Sequence, residues 1–381
     1  MLLKNKHFFL ALSVLIGTIV GAGIFGIPYV VARSGIIPVF FYFFILGAIV
    51  TLIHLFLGET ILRTKENCRL PGLAQKYLGR KGKILITTSV FLGVTGALLA
   101  YLILAGDFLK ILFPENFSLT SFHFAFIFWL ILSFFIFRGI KIIAPTEICT
   151  NLLFFLVIFI IGWFCLANFN PSSFTLFNPP DVFLPYGVIL FSLIGWSAIP
   201  EMIEIFKTQE EKRDIKKIII SATIIVTILY IFFSLAVVGV AGKRVSPDTL
   251  SGLIPLLGNK IIFWIALAAV ITLADSFLVL GLYLKNTFIN DLNFSKTISF
   301  LIACGFPFLL YLVGFRSFID TIGFVGAIVG IIEGISIILI FKKAKTLGQR
   351  SPEYTINVPS FLIYFLISIL ILGAISQVFS R

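Results

Sequence analysis

Charged side chains are scarce in this chain. They make up 12% of its 381 residues, against roughly 25% in a soluble domain. Only 17 residues are acidic, three are histidine and four are cysteine. Each shortage excludes something. With 59% hydrophobic residues, 45 of all residues phenylalanine and a mean hydropathy of +1.12, so few charges cannot coat a water-facing surface. Lipid must be the solvent for most of the chain. A membrane-embedded enzyme, such as a lipid-modifying transferase, needs acidic or histidine side chains gathered at one membrane face. Three histidines and no acidic loop do not supply that. Cys68, Cys149, Cys165 and Cys304 lack zinc-type spacing and read as reduced packing residues. No repeated filter-like loop speaks for an ion channel.

What the chain does have is long apolar runs. They fall at about 8–33, 36–61, 84–113, 121–138, 142–167, 182–206, 216–241, 260–285, 297–315, 318–341 and 359–379. The runs are too long and too uniformly apolar for alternating barrel strands, so eleven spanning helices are expected. The first run follows Lys4 and Lys6 as a signal peptide would. It continues to Val31 without a small-residue cleavage site, so it is kept as a span.

Basic residues test this map independently. The net charge of +12 and the pI of 9.6 would raise nucleic acid as a partner in a soluble protein. Here 22 of the 29 basic residues fall on one side, from Lys4 and Lys6 through Arg69, Lys76, Lys212 and Lys285 to Arg350. Lys141 belongs to that side, and Arg381 to the other. The bias places the amino terminus in the cytoplasm and, after an odd number of spans, the carboxy terminus outside. The expected location is a cell membrane, the inner membrane of a bacterium, with lipid as partner, no nucleic acid and a monomeric state. The loop at 62–83 contains Pro71-Gly72-Leu73 through Leu78-Gly79. It reads either as a short amphipathic helix on the cytoplasmic surface or as a plain basic loop.

Two spans carry helix breakers in mid-membrane. One cluster is Gly21-Ala22-Gly23-Ile24-Phe25-Gly26-Ile27-Pro28, and the other is Phe191-Ser192-Leu193-Ile194-Gly195-Trp196-Ser197-Ala198-Ile199-Pro200. Glycine costs about 1 kcal/mol in a helix interior and proline about 3. Backbone groups freed there survive at membrane depth only where they line a cavity or site. Close packing around small residues with a benign kink would explain one cluster alone. The two share a Gly-x-x-x-Ile-Pro register 172 residues apart, Gly23 to Gly195 and Pro28 to Pro200. Five spans begin at each cluster, so the second five are inverted relative to the first. That is the signature of a midplane-site transporter. The expected architecture is one transmembrane domain over 1–381, all α-helical, with inverted repeats at about 8–167 and 182–341 and an extra helix at about 359–379.

Gly17-Thr18-Ile19-Val20 through Pro28 resembles the first helix of permeases in the amino acid/polyamine/organocation superfamily. It is closest to the aromatic amino acid (tryptophan/tyrosine) and amino acid/auxin permeases. Gly195-Trp196-Ser197-Ala198-Ile199-Pro200-Glu201 is similar to the sixth-helix motif of that group. Pro71 to Gly79 and Gly281-Leu282-Tyr283 look like its second cytoplasmic loop and eighth helix. The resemblance spans the chain. It implies the LeuT-type five-plus-five inverted-repeat fold with discontinuous helices one and six, and substrate held between them. By that resemblance a substrate carboxylate meets N–H groups around Ala22, Gly23 and Ile24, with Gly21 also in the site. Its amine meets carbonyls at Ile19 and Phe191 to Leu193. Ser192, Gly195, Trp196 and Tyr101 complete the site. A coupling cation, H+ or Na+, is implied near Gly17, Val20, Thr272, Asp275 and Ser276. No other cofactor or metal is expected.

Asp275 departs from the family pattern, which has threonine or serine there. No basic residue lies in the interior of its span, Lys260 and Lys285 standing at the two ends. It could bind sodium, carry a proton, or be satisfied by neighbouring hydroxyls. Glu201 and Glu204 are expected near a cytoplasmic vestibule, as gate pairs or as solvated helix-end charges. Glu59, Asp107 and Glu147 are expected at interfaces, Glu333 deeper in span ten, and His54 as a packed, hydrogen-bonded residue. The expected function is cation-coupled amino acid uptake, with aromatic or other apolar substrates. A non-transporting sensor on the same fold and an exchanger of another small amine are the alternatives.

Overall fold

The computed structural model describes residues 2–66, 68–113, 118–139, 143–290 and 292–379. Lys141 and Arg381 lie outside the described residues, as do the side chains of Lys4, Glu147 and Cys149. Among the described residues every regular element is a helix. In chain order these are α1 (Leu2–Ile19), α2 (Gly23–Ser34), α3 (Ile36–Arg63), α4 (Leu70–Ile111), α5 (Ser121–Arg138) and α6 (Ile143–Ala167). Then come α7 (Leu184–Leu193), α8 (Ala198–Glu204), α9 (Gln209–Lys212), α10 (Ile215–Ala241), α11 (Leu250–Leu257) and α12 (Asn259–Asn290). The chain ends with α13 (Lys296–Phe300), α14 (Phe306–Val313), α15 (Phe318–Phe324), α16 (Gly330–Leu347) and α17 (Ser360–Phe379).

These elements occupy the eleven apolar runs. Among the described residues, nine stretches are long and apolar enough to cross a bilayer, and the bent α1–α2 pair makes ten. Helix α6, 25 residues long, takes the remaining run. Large apolar side chains such as Phe44, Trp163, Trp264, Phe361 and Leu372 stand exposed around the outside, a surface that only lipid can cover. The protein is a multi-pass membrane protein.

Both expected breaks are present. Helices α1 and α2 meet at 54°, and residues 194–197 separate α7 from α8. The loop after α3 resolves in favour of the helix reading. Residues 70–78 are helical and bury Leu70, Leu73, Ala74 and Tyr77, one face at helical spacing. Gly79 then takes φ 78° and turns the chain into the third span, a backbone state that other residues adopt at a cost. Three features carry no clear sequence signal: the short helix α11 and two π-helical turns, at Leu301–Gly305 and Val325–Val329.

Glu59, one turn before the end of α3, is fully buried. One oxygen pairs with Arg63 at 2.8 Å, and the other accepts the Ile356 N–H at 2.5 Å. Tyr354 donates to the Leu55 carbonyl at 2.8 Å. The segment between α16 and α17 is thereby pinned to α3. Among the described cysteines, Cys165 and Cys304 are buried free thiols.

The π-turn at Val325–Val329 packs backbone to backbone against α7. A Cβ on Gly326 would lie 2.7 Å from the Phe191 nitrogen and would collide with the Gly187 carbonyl. Small residues permit this approach, as they do between membrane helices generally. Gly326→Ala should therefore destabilise the bundle by about 1–3 kcal/mol through overpacking. A thermal melt in detergent checks this; an unchanged midpoint would show that the contact is dispensable.

Candidate functional site

The two breaks touch each other. A Cβ on Gly23 would lie 2.9 Å from the Ser192 Cβ, and one on Gly195 would press on the Ile19 side chain. Between α1 and α2, Ile24 and Phe25 donate back to the Gly21 and Ala22 carbonyls at 3.4 and 3.1 Å. Among the described residues no acceptor meets the Ala22 and Gly23 N–H groups. Between α7 and α8 the Gly195 N–H goes to His54 Nε2 at 3.2 Å. An accepting Nε2 on a neutral ring assigns the proton to Nδ1. His54 is buried and edge-on to Trp196, ring centroids 6.1 Å apart, a packed and hydrogen-bonded residue.

One side chain holds both breaks. The Tyr230 hydroxyl, fully buried on α10, lies 2.9 Å from the Ile19 carbonyl and 2.9 Å from the Ser192 carbonyl. It donates to the frayed ends of α1 and α7 at the same point. Sequence reading missed it: a tyrosine inside a 27-residue apolar helix has no motif. Its one visible signal is a hydroxyl in mid-span that needs a partner.

A cavity of about 180 Å³ opens beside the breaks. Of the residues expected to bind substrate, Ile19, Gly21, Ala22, Gly23, Tyr101, Phe191, Ser192 and Trp196 line it, and Gly17, Asp275 and Ser276 do as well. Ile24 and Leu193 are fully buried outside it, and the Gly195 amide is used by His54. Val90, Gly93, Val94 and Ala97 of α4 form an apolar wall, and Val325 and Val329 of the π-turn face the same space. Glu333 also lines it, 5% exposed, with its carboxylate accepting the Trp196 indole N–H.

The cavity runs toward the face that carries the amino terminus. There Arg69 lies at its edge, 3.9 Å from Glu201 and 5.1 Å above the Tyr283 ring. Glu201 thus does pair with a loop arginine. Toward the other face, Phe25 packs edge-on against Phe108, Phe154 and Phe233 at 5.1, 6.0 and 6.4 Å, and Thr249 donates to the Phe25 carbonyl. This plug separates the cavity from that side.

A smaller void of about 10 Å³ lies behind the first break, on the order of one water-sized sphere. Val20, Gly21, Ala22, Thr150, Thr272, Asp275 and Ser276 line it. The Thr150 hydroxyl donates to Asp275 Oδ2 at 2.7 Å, and Thr272 donates to the Ala269 carbonyl at 2.8 Å. Thr150 was not anticipated. Among the described residues no group of three or more histidine, cysteine or acidic side chains could hold a metal ion.

Two broken helices facing one another across a central cavity define the class: a multi-pass transporter with the LeuT-type fold. A solved structure of MhsT in complex with L-phenylalanine superposes with a TM-score of 0.69 over 98% of both chains. At 18% identity that likeness bears on the fold alone. The chain matches the Tryptophan/tyrosine permease family over residues 4–377 and belongs to it. It is 25% identical to Glutamine transporter 2 of Aliivibrio fischeri over 85% of this chain and 86% of that protein. A shorter match, 25% identical over 115 residues, reaches the Amino acid transporter AVT1H of Arabidopsis thaliana and covers 27% of it. The protein is an amino acid transporter, not an enzyme.

Replacing Tyr230 with phenylalanine removes one donor from two buried carbonyls. An unsatisfied buried polar group costs about 1–3 kcal/mol. Tyr230→Phe should lower the melting midpoint accordingly and speed hydrogen exchange at residues 19–24 and 192–197 together. Faster exchange at one break alone would show that the hydroxyl does not couple them.

Proposed function

We propose that this protein takes up aromatic or other apolar amino acids by cation-coupled alternating access. The observation that carries this is the meeting of both breaks at one cavity. The Ala22 and Gly23 N–H groups at the start of α2 are a site for the substrate carboxylate, favoured by the helix dipole. Carbonyls at the ends of α1 and α7 suit its ammonium group. The Ile19 and Ser192 carbonyls already receive Tyr230 and keep a second lone pair for this. Tyr101, Phe191 and Trp196 would surround the side chain. The valine wall of α4 supports an apolar side chain, as does the family's name.

The small void supports the coupling role. Asp275, Ser276, Thr272 and Thr150 with the Val20 carbonyl form a set of oxygen donors, the chemistry that suits a hard cation. The Thr150 hydroxyl, which donates to Asp275 Oδ2, ties the carboxylate into this set of oxygens. Asp275 would therefore hold sodium or itself bind the proton. The cavity's extent toward the amino-terminal face fits a cytoplasm-facing stage of the cycle, given the basic residues on that side. Rocking of the first two helices of each repeat against the rest would expose the site to the other face. A bacterial inner membrane, a cytoplasmic amino terminus and a monomeric working unit complete the reading.

Purified protein in liposomes should accumulate labelled tryptophan when an inward proton or sodium gradient is imposed, each tested alone. Asp275→Asn should lose gradient-driven accumulation while keeping exchange between equal amino acid pools. No flux under either gradient overturns the reading, and binding without flux would make the protein a sensor.

A further inference from the structure

We infer that Glu333 is the specificity-determining residue of the cavity, accepting a hydrogen bond from the tip of the substrate's side chain. Among the aromatic and apolar substrates proposed above, those whose side chain bears an N–H or O–H, tyrosine and tryptophan, would then be preferred over hydrocarbon analogues of the same shape. The inference rests on the amino acid reading of the site given above.

Three observations support it. First, Glu333 lines the substrate cavity although its residue is 95% withdrawn from solvent. It is aimed into the site from α16, directly after the π-turn at Val325–Val329. Second, its surroundings are apolar on the cavity side, where Val90, Val94 and Val329 share the wall. Third, among the described residues no lysine, arginine or histidine forms an ion pair with it. The Trp196 indole N–H donates to the carboxylate, and the buried Ser89 hydroxyl on α4 has no hydrogen-bond partner among the described residues. His54 reaches it only through Trp196.

A carboxylate can accept about four hydrogen bonds. The one donor seen, the Trp196 indole, leaves most of that capacity for a ligand in the cavity that Glu333 lines. An empty cavity can hydrate that capacity. A substrate that fills the cavity expels the water, and the loss is restored only if the substrate supplies a donor. A phenyl or thioether tip leaves the carboxylate buried against carbon. A hydroxyl or indole N–H tip replaces the water. Trp196 is held by the same carboxylate, so its ring and the substrate's tip share one anchor. A site built to bond a substrate OH or NH rejects the analogue lacking it strongly.

The test is competition against labelled tryptophan uptake in liposomes, using a matched pair, tyrosine against phenylalanine. In the native protein tyrosine should compete about 10–100-fold better. Glu333→Leu should bring the ratio close to one. Glu333→Gln, whose amide oxygen still accepts, should keep a ratio between the two. A native ratio near one overturns the inference whether or not the variants fold. So does a variant that weakens both competitors equally and leaves the ratio intact, the result expected if Glu333 only positions Trp196. Absence of competition by every amino acid would sink the underlying reading of the site instead, and this inference with it.

Discussion

The arrangement depends on a single buried hydroxyl. Interrupting a helix in lipid strands backbone donors and acceptors where no water can reach them. Two interruptions in one molecule double the problem, and packing them together allows a shared solution. Tyr230 lies 2.9 Å from a carbonyl of each broken helix, so the ends of α1 and α7 are referred to one fixed point on α10. His54 serves the second break from α3 through the Gly195 N–H. Among the described residues no acceptor meets the Ala22 and Gly23 N–H groups beside the cavity, where a ligand's anion can complete them.

Packing around the breaks follows from the same constraint. Glycine at 23 lets Ser192 approach, glycine at 195 admits Ile19, and glycines at 187 and 326 bring α7 against the π-turn of span ten. That turn changes which side of the helix the following residues present. It brings Val325, Val329 and Glu333 to the cavity. The substrate space is thus bounded by elements from both repeats: the breaks, the apolar wall of α4, and the re-registered span ten. Closure is asymmetric. The Phe25 aromatic cluster lies in one direction, and the exposed Arg69–Glu201 pair borders the other.

Much of this was legible beforehand for physical reasons. The spans follow from length and hydropathy, and α5 begins and ends where the run 121–138 does. The breaks follow from glycine and proline at depths where each is costly. Asp275 stood out because an ionisable group in mid-span needs a reason. Glu333 and His54 were visible for the same reason, but their partners were not. Trp196 sits 137 residues from Glu333, and Gly195 sits 141 from His54; no local pattern links such pairs. The burial of Glu59 was not legible because its distance from the helix end says nothing about what covers that end. The segment that buries it arrives nearly 300 residues later, at Ile356.

Composition and order of residues determined the solvent, the number of spans, the two weak points in the backbone and the kinship with amino acid permeases. Those properties are local, or sum over the chain, so one dimension contains them. The tertiary structure decided that the weak points meet, that Tyr230 holds them, and that Thr150 reaches Asp275. It also decided that a π-turn carries Glu333 into the cavity. Each of these is a distance between residues far apart in sequence, set by how the spanning helices exclude one another's volume.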